Sequence, residues 1–440
     1  MKTTVNVALV GISGYGHSYL GALLDAPADD AFRIVGVVDP HPQRCRRLAD
    51  IRQRAIPLYN NIEQLYAESP GIDLAMLATP IHHHSPQTCF ALSNGSSVLC
   101  EKPVGATPDD ARQMLAAERA ARGRNGNGQS AFVAIGYQWS FSRSIQALKR
   151  DVMAGDFGRP VRLKTLATMP RTVEYFRRND WAGRIRTDDG KLVYDSPANN
   201  AAAHFLHNML YLLGERRDES ARPTSVQAEL YRANDIQNYD TAAMRVTADC
   251  GAELLFYTSH SVPIGMGPVA RYEFEHATVY YEAETRGGFV ARFHKDGSIR
   301  HYDDPNADRY LKIWQSIDSV RTGKSIPCGV RAASSHALAV SAAQLSMPHI
   351  RDFPKSMIAL EHPIGSVSTA PMKVVAGLGS ALVQCYDQGI LPAEHGGLAW
   401  SAPGEVIDLT TPRWSFDGEA EPSEVGATMP NLATASPAAE

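Results

Sequence analysis

The chain has 440 residues, with 43 Lys and Arg against 47 Asp and Glu, a net charge of −4, and 44% apolar and 20% charged residues. That length exceeds one ordinary core and implies two domains. Charges of both signs are interspersed, which excludes a field of one sign for nucleic acid or an anionic membrane.

Cys45, Cys89, Cys100, Cys250, Cys328 and Cys385 form no CxxC pair and read as reduced thiols. With neither a signal peptide nor an 18-residue apolar run in the sequence, the expectation is a cytoplasmic protein with no nucleic-acid or membrane partner.

In chain order, Val5–Val10 is predicted as a strand and Tyr15–Leu24 as a helix, followed by a strand over Arg33–Val38 and a helix over Arg44–Arg52. Leu74–Ala78 and Val98–Cys100 are further buried strands, and Thr107-Pro108-Asp109-Asp110 starts a helix running to Arg122. This alternation writes a parallel sheet. The polar, glycine-rich Arg122–Ser130 is a loop at the domain boundary, before a short strand over Ala131–Gly136.

Beyond it come a helix over Ser144–Ala154 and strands at Val161–Thr168, Ser225–Tyr231, Ala242–Thr247, Ala252–Thr258 and Ala277–Glu282. They alternate without regular helices between them, which suggests a largely antiparallel sheet. Ala332–Leu345 and Lys373–Cys385 are predicted helices, and from about Gly418 the composition is that of a disordered tail. The expected division is a Rossmann domain over 1–130, an α+β domain over 131–395, and a C-terminal extension over 396–440.

Gly11-Ile-Ser-Gly-Tyr-Gly16 joins the first strand to the first helix. There glycines permit a tight turn, close approach of a pyrophosphate and close helix–strand packing, with helix-start amides facing the anion. Gly11, Ser13, Gly14, Tyr15 and Gly16 are therefore candidate cofactor contacts, although Ser13 stands where the usual pattern has glycine. Asp39 ends the second strand, where a carboxylate can accept from both ribose hydroxyls and repel a 2′-phosphate. The expected cofactor is NAD rather than NADP; the bland alternative makes Asp39 a turn residue before Pro40.

Thr79, Pro80 and His84 follow a sheet strand at its carboxyl edge, where ligands of open sheets collect. His82, His83 and His84 are adjacent, point different ways in an extended loop and lack a nearby Cys or carboxylate, so no metal is expected. Glu101-Lys102-Pro103 stands directly after another strand, so Lys102 can project toward a nicotinamide and stabilise alkoxide character on a substrate oxygen.

The combination of GISGYG, VVDP, ATP followed by His, and CEKP resembles the Gfo/Idh/MocA oxidoreductases, a resemblance continued by Gly136-Tyr137, GDFG at 155–158 and Asn179-Asp180-Trp181. It implies a Rossmann domain, a C-terminal α/β domain with an open, mainly antiparallel sheet, a site between them, catalytic Lys102 and cofactor contact at Glu101. It also places His204 on the family's catalytic histidine, while Asn200, Ala202 and His207 replace that motif's aspartate, glycine and second aspartate.

Independently, Ser196 can cap a helix with Pro197 in its first position, and Asn200, His204, His207 and Tyr211 then form one stripe. A stripe without Lys or Glu fits a cleft wall, or alternatively a polar seam between buried helices. Asn200 cannot take a proton but can orient a hydroxyl; His204 can act as base, and His207 or Asp195 could compensate for the missing carboxylate. Tyr137, Trp181, Arg184 and His207 are candidate substrate contacts, the aromatics alternatively packing the domain interface.

The expected activity is NAD-dependent oxidation of a secondary hydroxyl on a sugar, cyclitol or glycoside. The alternatives are net non-redox sugar chemistry with tightly held NAD (epimerisation, elimination or glycoside cleavage) and non-catalytic sensing of NAD or sugar. The expected partners are a small carbohydrate or polyol and, because an open sheet exposes a face, further copies of the chain.

Overall fold

The computed structural model describes residues 4–27, 31–121, 130–282, 287–362 and 370–416. Most of the predicted 122–130 loop and the tail from 418 lie outside them. The N-terminal domain is a parallel sheet of β1 (Val5–Val10), β2 (Phe32–Val38), β3 (Leu58–Tyr59), β4 (Leu74–Leu77), β5 (Ser97–Cys100) and β6 (Val133–Ile135). Its order is β3-β2-β1-β4-β5-β6, the doubly wound arrangement. Its central strands are mostly apolar because helices cover both faces: every residue of β4 and β5 is buried.

β6 pairs with β5 in this first sheet, so the boundary falls after Ile135 rather than at 130. The chain also returns late to this domain: the helix Leu311–Thr322, absent from the sequence reading, packs on β1, β4 and β5. Between Val38 and Tyr59 the predicted helix over 44–52 becomes a short turn, Pro42–Arg44, and a helix, Leu48–Gln53.

The second domain is a larger sheet. Its strands are β7 (Pro160–Thr168), β8 (Pro223–Arg232), β9 (Thr241–Ala248), β10 (Glu253–Ser259), β11 (Met266–Phe274), β12 (Ala277–Glu282), β13 (Phe289–Phe293) and β14 (Ile299–Tyr302). They run in the order β14-β13-β12-β11-β7-β10-β9-β8, antiparallel except where β10 meets β7; the two-residue strand Arg351–Asp352 adds in parallel at the β8 edge. Residue alternation along β10 shows why both faces are occupied. Leu254 and Phe256 join the main core with the helices Ala203–Leu212 and Val330–Ser346, whereas Leu255 and Tyr257 face a second core.

That second core is built by the C-terminal part of the chain. Leu378, Ala381, Leu382 and Cys385 of the helix Leu378–Gln388 pack there with Val375, Leu391 and Trp400. The predicted helix over 373–385 is corrected at its start. Lys373 lies in a strand, Met372–Val375, paired with Ile358–Glu361, because Val374 and Val375 favour extended backbone. Gly377 at φ +73° then turns the chain into the helix.

The expected extension is likewise part of the body up to residue 416. Ile407–Asp408 pairs with β8, and Arg112 donates to the carbonyls of Arg413 and Ser415. The central face that the sequence left open for self-association is thus covered by the chain itself. Among the described residues no helix is long and apolar enough to cross a membrane.

Candidate active site

The carboxyl ends of β1, β2, β4 and β5 place the glycine turn, Asp39, Thr79 and Lys102 along one edge of the first sheet, at the switch point between β1 and β4. Gly11 (φ +84°) lies so close to β4 that a Cβ would stand 2.8 Å from the carbonyl oxygen of Ala78. A Cβ on Gly16 would stand 1.9 Å from the carbonyl oxygen of Gly11. Gly14 (φ +54°) instead faces open space, with nothing within 4 Å of a Cβ. Among the described residues the amides of Gly14 and Tyr15 have no hydrogen-bond partner, and Ser13 Oγ is buried without one.

A turn with unpartnered amides and a hydroxyl at a helix start fits an anionic pyrophosphate. Asp39 is buried beneath this turn. Its Oδ2 accepts from the amides of Ile12 and Ser13, both at 3.2 Å, and its Oδ1 from the amide of His41 at 2.8 Å. The carboxylate therefore shapes the turn.

Two expected cofactor contacts are corrected. His84 is 1% exposed, and its ring nitrogens lie 2.7 Å and 2.9 Å from the carbonyl oxygens of Pro103 and Thr79. It clamps two loops together instead of facing the crevice. Glu101 is also buried: its Oε1 accepts from Tyr19 Oη at 2.6 Å and pairs with Lys312, and its Oε2 accepts from the amide of Lys102 at 3.1 Å. Thr79 is half-buried, its hydroxyl donating to Gln87, and Pro80 beside it is half-buried too.

Lys102 crosses to the second domain. Its Nζ donates to the main-chain oxygen of Asn200 at 2.6 Å and to Asn200 Oδ1 at 2.9 Å. Burial pulls this ammonium down to about 8, against the attraction of Glu101.

Asn200 belongs to a π-helical turn, Pro197–Ala201, capped by Ser196 Oγ accepting from the amide of Asn199 as expected. The α-helix proper is Ala203–Leu212, so the predicted stripe is offset between Asn200 and His204. His204, half-buried at the start of that helix, has no hydrogen-bond partner on either ring nitrogen among the described residues, and Nδ1 is buried. Burial, and next the Lys102 ammonium, holds its pKa well below the usual histidine value, so the ring is neutral at neutral pH.

The predicted stripe splits at this point. His207 is 1% exposed, stacked on Tyr137 with ring centroids 3.8 Å apart, its Nε2 3.0 Å from Ser140 Oγ. Tyr137 is completely buried, its hydroxyl 2.9 Å from His336 Nδ1. His336 Nε2 lies 2.9 Å from the carbonyl oxygen of Ala198 and must donate there, so Nδ1 accepts from Tyr137. Tyr137 and His207 are thus a polar seam behind His204, which corrects the expectation that they meet substrate.

Trp181 is half-buried in a small apolar cluster with Ile81, Ala106, Val193 and Tyr194, where the 181–194 loop of the second domain rests on the first. Arg184 pairs with the exposed Asp188. The rings of His82 and His83 lie 4.2 Å apart, tilted at 46° to each other, and no group of three or more metal-ligating side chains is found among the described residues. Lys312 was not found from sequence; its one signal is a lysine on the apolar side of the helix Leu311–Thr322.

A doubly wound domain with a glycine turn at its first helix, facing a sheet domain whose helix carries His204, is a dinucleotide-binding architecture. Residues 5–128 match the Gfo/Idh/MocA family model, described as oxidoreductase family, NAD-binding Rossmann fold.

An inositol 2-dehydrogenase of Saccharopolyspora erythraea is 30% identical over 173 residues, covering 39% of this chain and 48% of that protein. Another, of Ralstonia nicotianae, is 22% identical over 242 residues, covering 52% of this chain and 67% of that protein. The chain spans about half the length of the first curated relatives it matches. In fold it is similar to the WlbA dehydrogenase of Bordetella pertussis, solved with NADH and UDP-GlcNAcA, with a TM-score of 0.60 at 19% identity, covering 78% of this chain and 95% of that one.

Proposed function

We propose that this protein is an NAD-dependent dehydrogenase acting on a secondary hydroxyl of a cyclitol, sugar or glycoside. The observation that supports the reading is the reach of Lys102 Nζ onto Asn200, four residues before His204, which ties an ammonium of the first domain to the segment of the second that carries the imidazole. The relatives named as inositol dehydrogenases support the substrate class.

When bound, NAD supplies the hydride acceptor. The amides of Gly14 and Tyr15, with Ser13 Oγ, would hold its pyrophosphate and Asp39 its ribose, disfavouring a 2′-phosphate by charge. Lys102 donates to the substrate oxygen and stabilises negative charge growing there. His204, neutral and unpartnered, accepts the hydroxyl proton. The half-buried Trp181 is the candidate wall for an apolar sugar face, and Arg184 a candidate polar contact.

The test is to mix purified protein with NAD and a panel of inositols, aldoses, uronates and glycosides, following absorbance of the reduced cofactor. Turnover on at least one panel member, lost in Lys102→Ala, is expected. Saturable NAD binding with no turnover on any member overturns the dehydrogenase reading.

A further inference from the structure

Asn200 lies between two groups of opposite hydrogen-bonding character. On one side is the Lys102 ammonium, which can only donate; on the other is the Asp195 carboxylate, whose Oδ1 lies 2.8 Å from Asn200 Nδ2. Only one orientation of the amide satisfies both: the carbonyl toward Lys102 and the NH2 toward Asp195. The flipped amide would set NH2 against an ammonium and a carbonyl against a carboxylate.

Asp195 is itself fixed. It is 3% exposed, its Oδ2 accepts from the amide of Gly183 at 2.7 Å, and Arg178 stands 3.9 Å away. Its main-chain oxygen accepts from Asn238 Nδ2 at 3.1 Å.

We propose that Asp195 is a positioning residue of the active site, holding the Asn200 amide so that its carbonyl orients Lys102 and relays the carboxylate's negative charge to it. This rests on the reading of Lys102 as a catalytic group. It also accounts for an amide at position 200. A carboxylate there would share a buried site with Asp195 at hydrogen-bond distance, and two like charges so placed cannot both ionise. The negative charge of this site stands one residue further from the ammonium, and the neutral amide between them carries its polarity.

The test reads Lys102 directly, by the pH at which its acetylation is half-maximal, measured by peptide mass spectrometry, alongside turnover. The other charged or titratable groups near Lys102 are Glu101, Lys312, Arg178, His84, His204 and His336, and they stay constant across the variants. Asp195→Asn is expected to lower the labelling midpoint and reduce kcat about 10-fold to 100-fold, the scale of a misplaced catalytic group. The same change made on Asn200→Ala is expected to add little, because the relay is already cut. The exchanged pair Asn200→Asp with Asp195→Asn puts a carboxylate against the ammonium and is expected to raise the midpoint above wild type.

If Asp195→Asn moves the midpoint equally with and without Asn200, or if neither it nor the exchanged pair moves it, the relay is wrong. Because labelling needs no substrate, a protein inactive on every alcohol would overturn the dehydrogenase reading while still deciding this one.

Discussion

Glu101 and Lys312, 211 residues apart in the chain, form an ion pair whose side chains are 7% and 1% exposed. It joins the strand end that carries Lys102 to a helix contributed by the late part of the chain. Two desolvated charges are held together by partners on all sides: Tyr19 donates to the carboxylate, and Lys312 also donates to the carbonyl oxygen of Gly136 at 3.1 Å.

Removing only the cation is expected to be severe. Lys312→Met leaves an uncompensated buried carboxylate and should lower stability by about 3–5 kcal/mol, whereas the double variant with Glu101→Gln should recover much of that. Burial pushes the Glu101 carboxyl up, but the Lys312 ammonium and the Tyr19 hydroxyl outweigh it, leaving a net lowering from 4.5. A carboxylate lowered in the folded state contributes stability that is fully present above its unfolded value and lost as pH falls through its folded one. Wild type should therefore lose this contribution as the medium is acidified below pH 4.5, and Lys312→Met should not; urea titrations across pH measure both.

The pH dependence of alcohol oxidation should show a plateau with two limbs. Lys102 acts as an ammonium and titrates at about 8, so kcat/KM should fall as pH rises through that value. His204 acts as a neutral base, and its pKa is held well below 6.5, so the acid limb should lie below that value. A rate that climbs steadily through pH 8 would reverse the role given to Lys102.

Separating chemistry from binding is the purpose of two single variants. Lys102→Ala and His204→Ala are each expected to lower kcat by about 10²–10⁴-fold, the usual range for a positioned acid or base. NAD affinity, measured by fluorescence titration, should change little in either.

The glycine turn gives a third contrast. In Gly16→Ala the new methyl would stand 1.9 Å from the carbonyl oxygen of Gly11, so the turn cannot keep its shape and NAD binding should be lost. Gly14→Ala meets nothing, and only its φ of +54° opposes it. That should cost about 1–2 kcal/mol of stability while leaving measurable NAD binding. Melting curves with and without NAD distinguish the two.

Local signals carried much of this architecture. The glycine turn, Asp39 and the Glu-Lys-Pro strand end were readable because each depends on neighbours within a few residues, and so was the Ser196 cap. What was not readable depends on distant packing. His207 and Tyr211 lie on the stripe of Asn200 and His204, and only the burial of Tyr137 against His207 shows that the stripe turns inward after one turn. His84 and Glu101 sit in motif positions, yet their partners (Pro103, Tyr19, Lys312) could not be guessed from spacing. The strand at Met372–Val375 was hidden by a helical-looking run, and its pairing with Ile358–Glu361 lets Val374 and Val375 take extended backbone.

The segment that packs Leu378, Leu382 and Trp400 on the far side of the ten-stranded sheet has a practical consequence for anyone trimming this chain. A version ending near residue 350 would keep every candidate catalytic group, yet it would strip a greasy slab bearing Leu166, Leu255 and Tyr257. Such a slab in water invites clumping with its own kind.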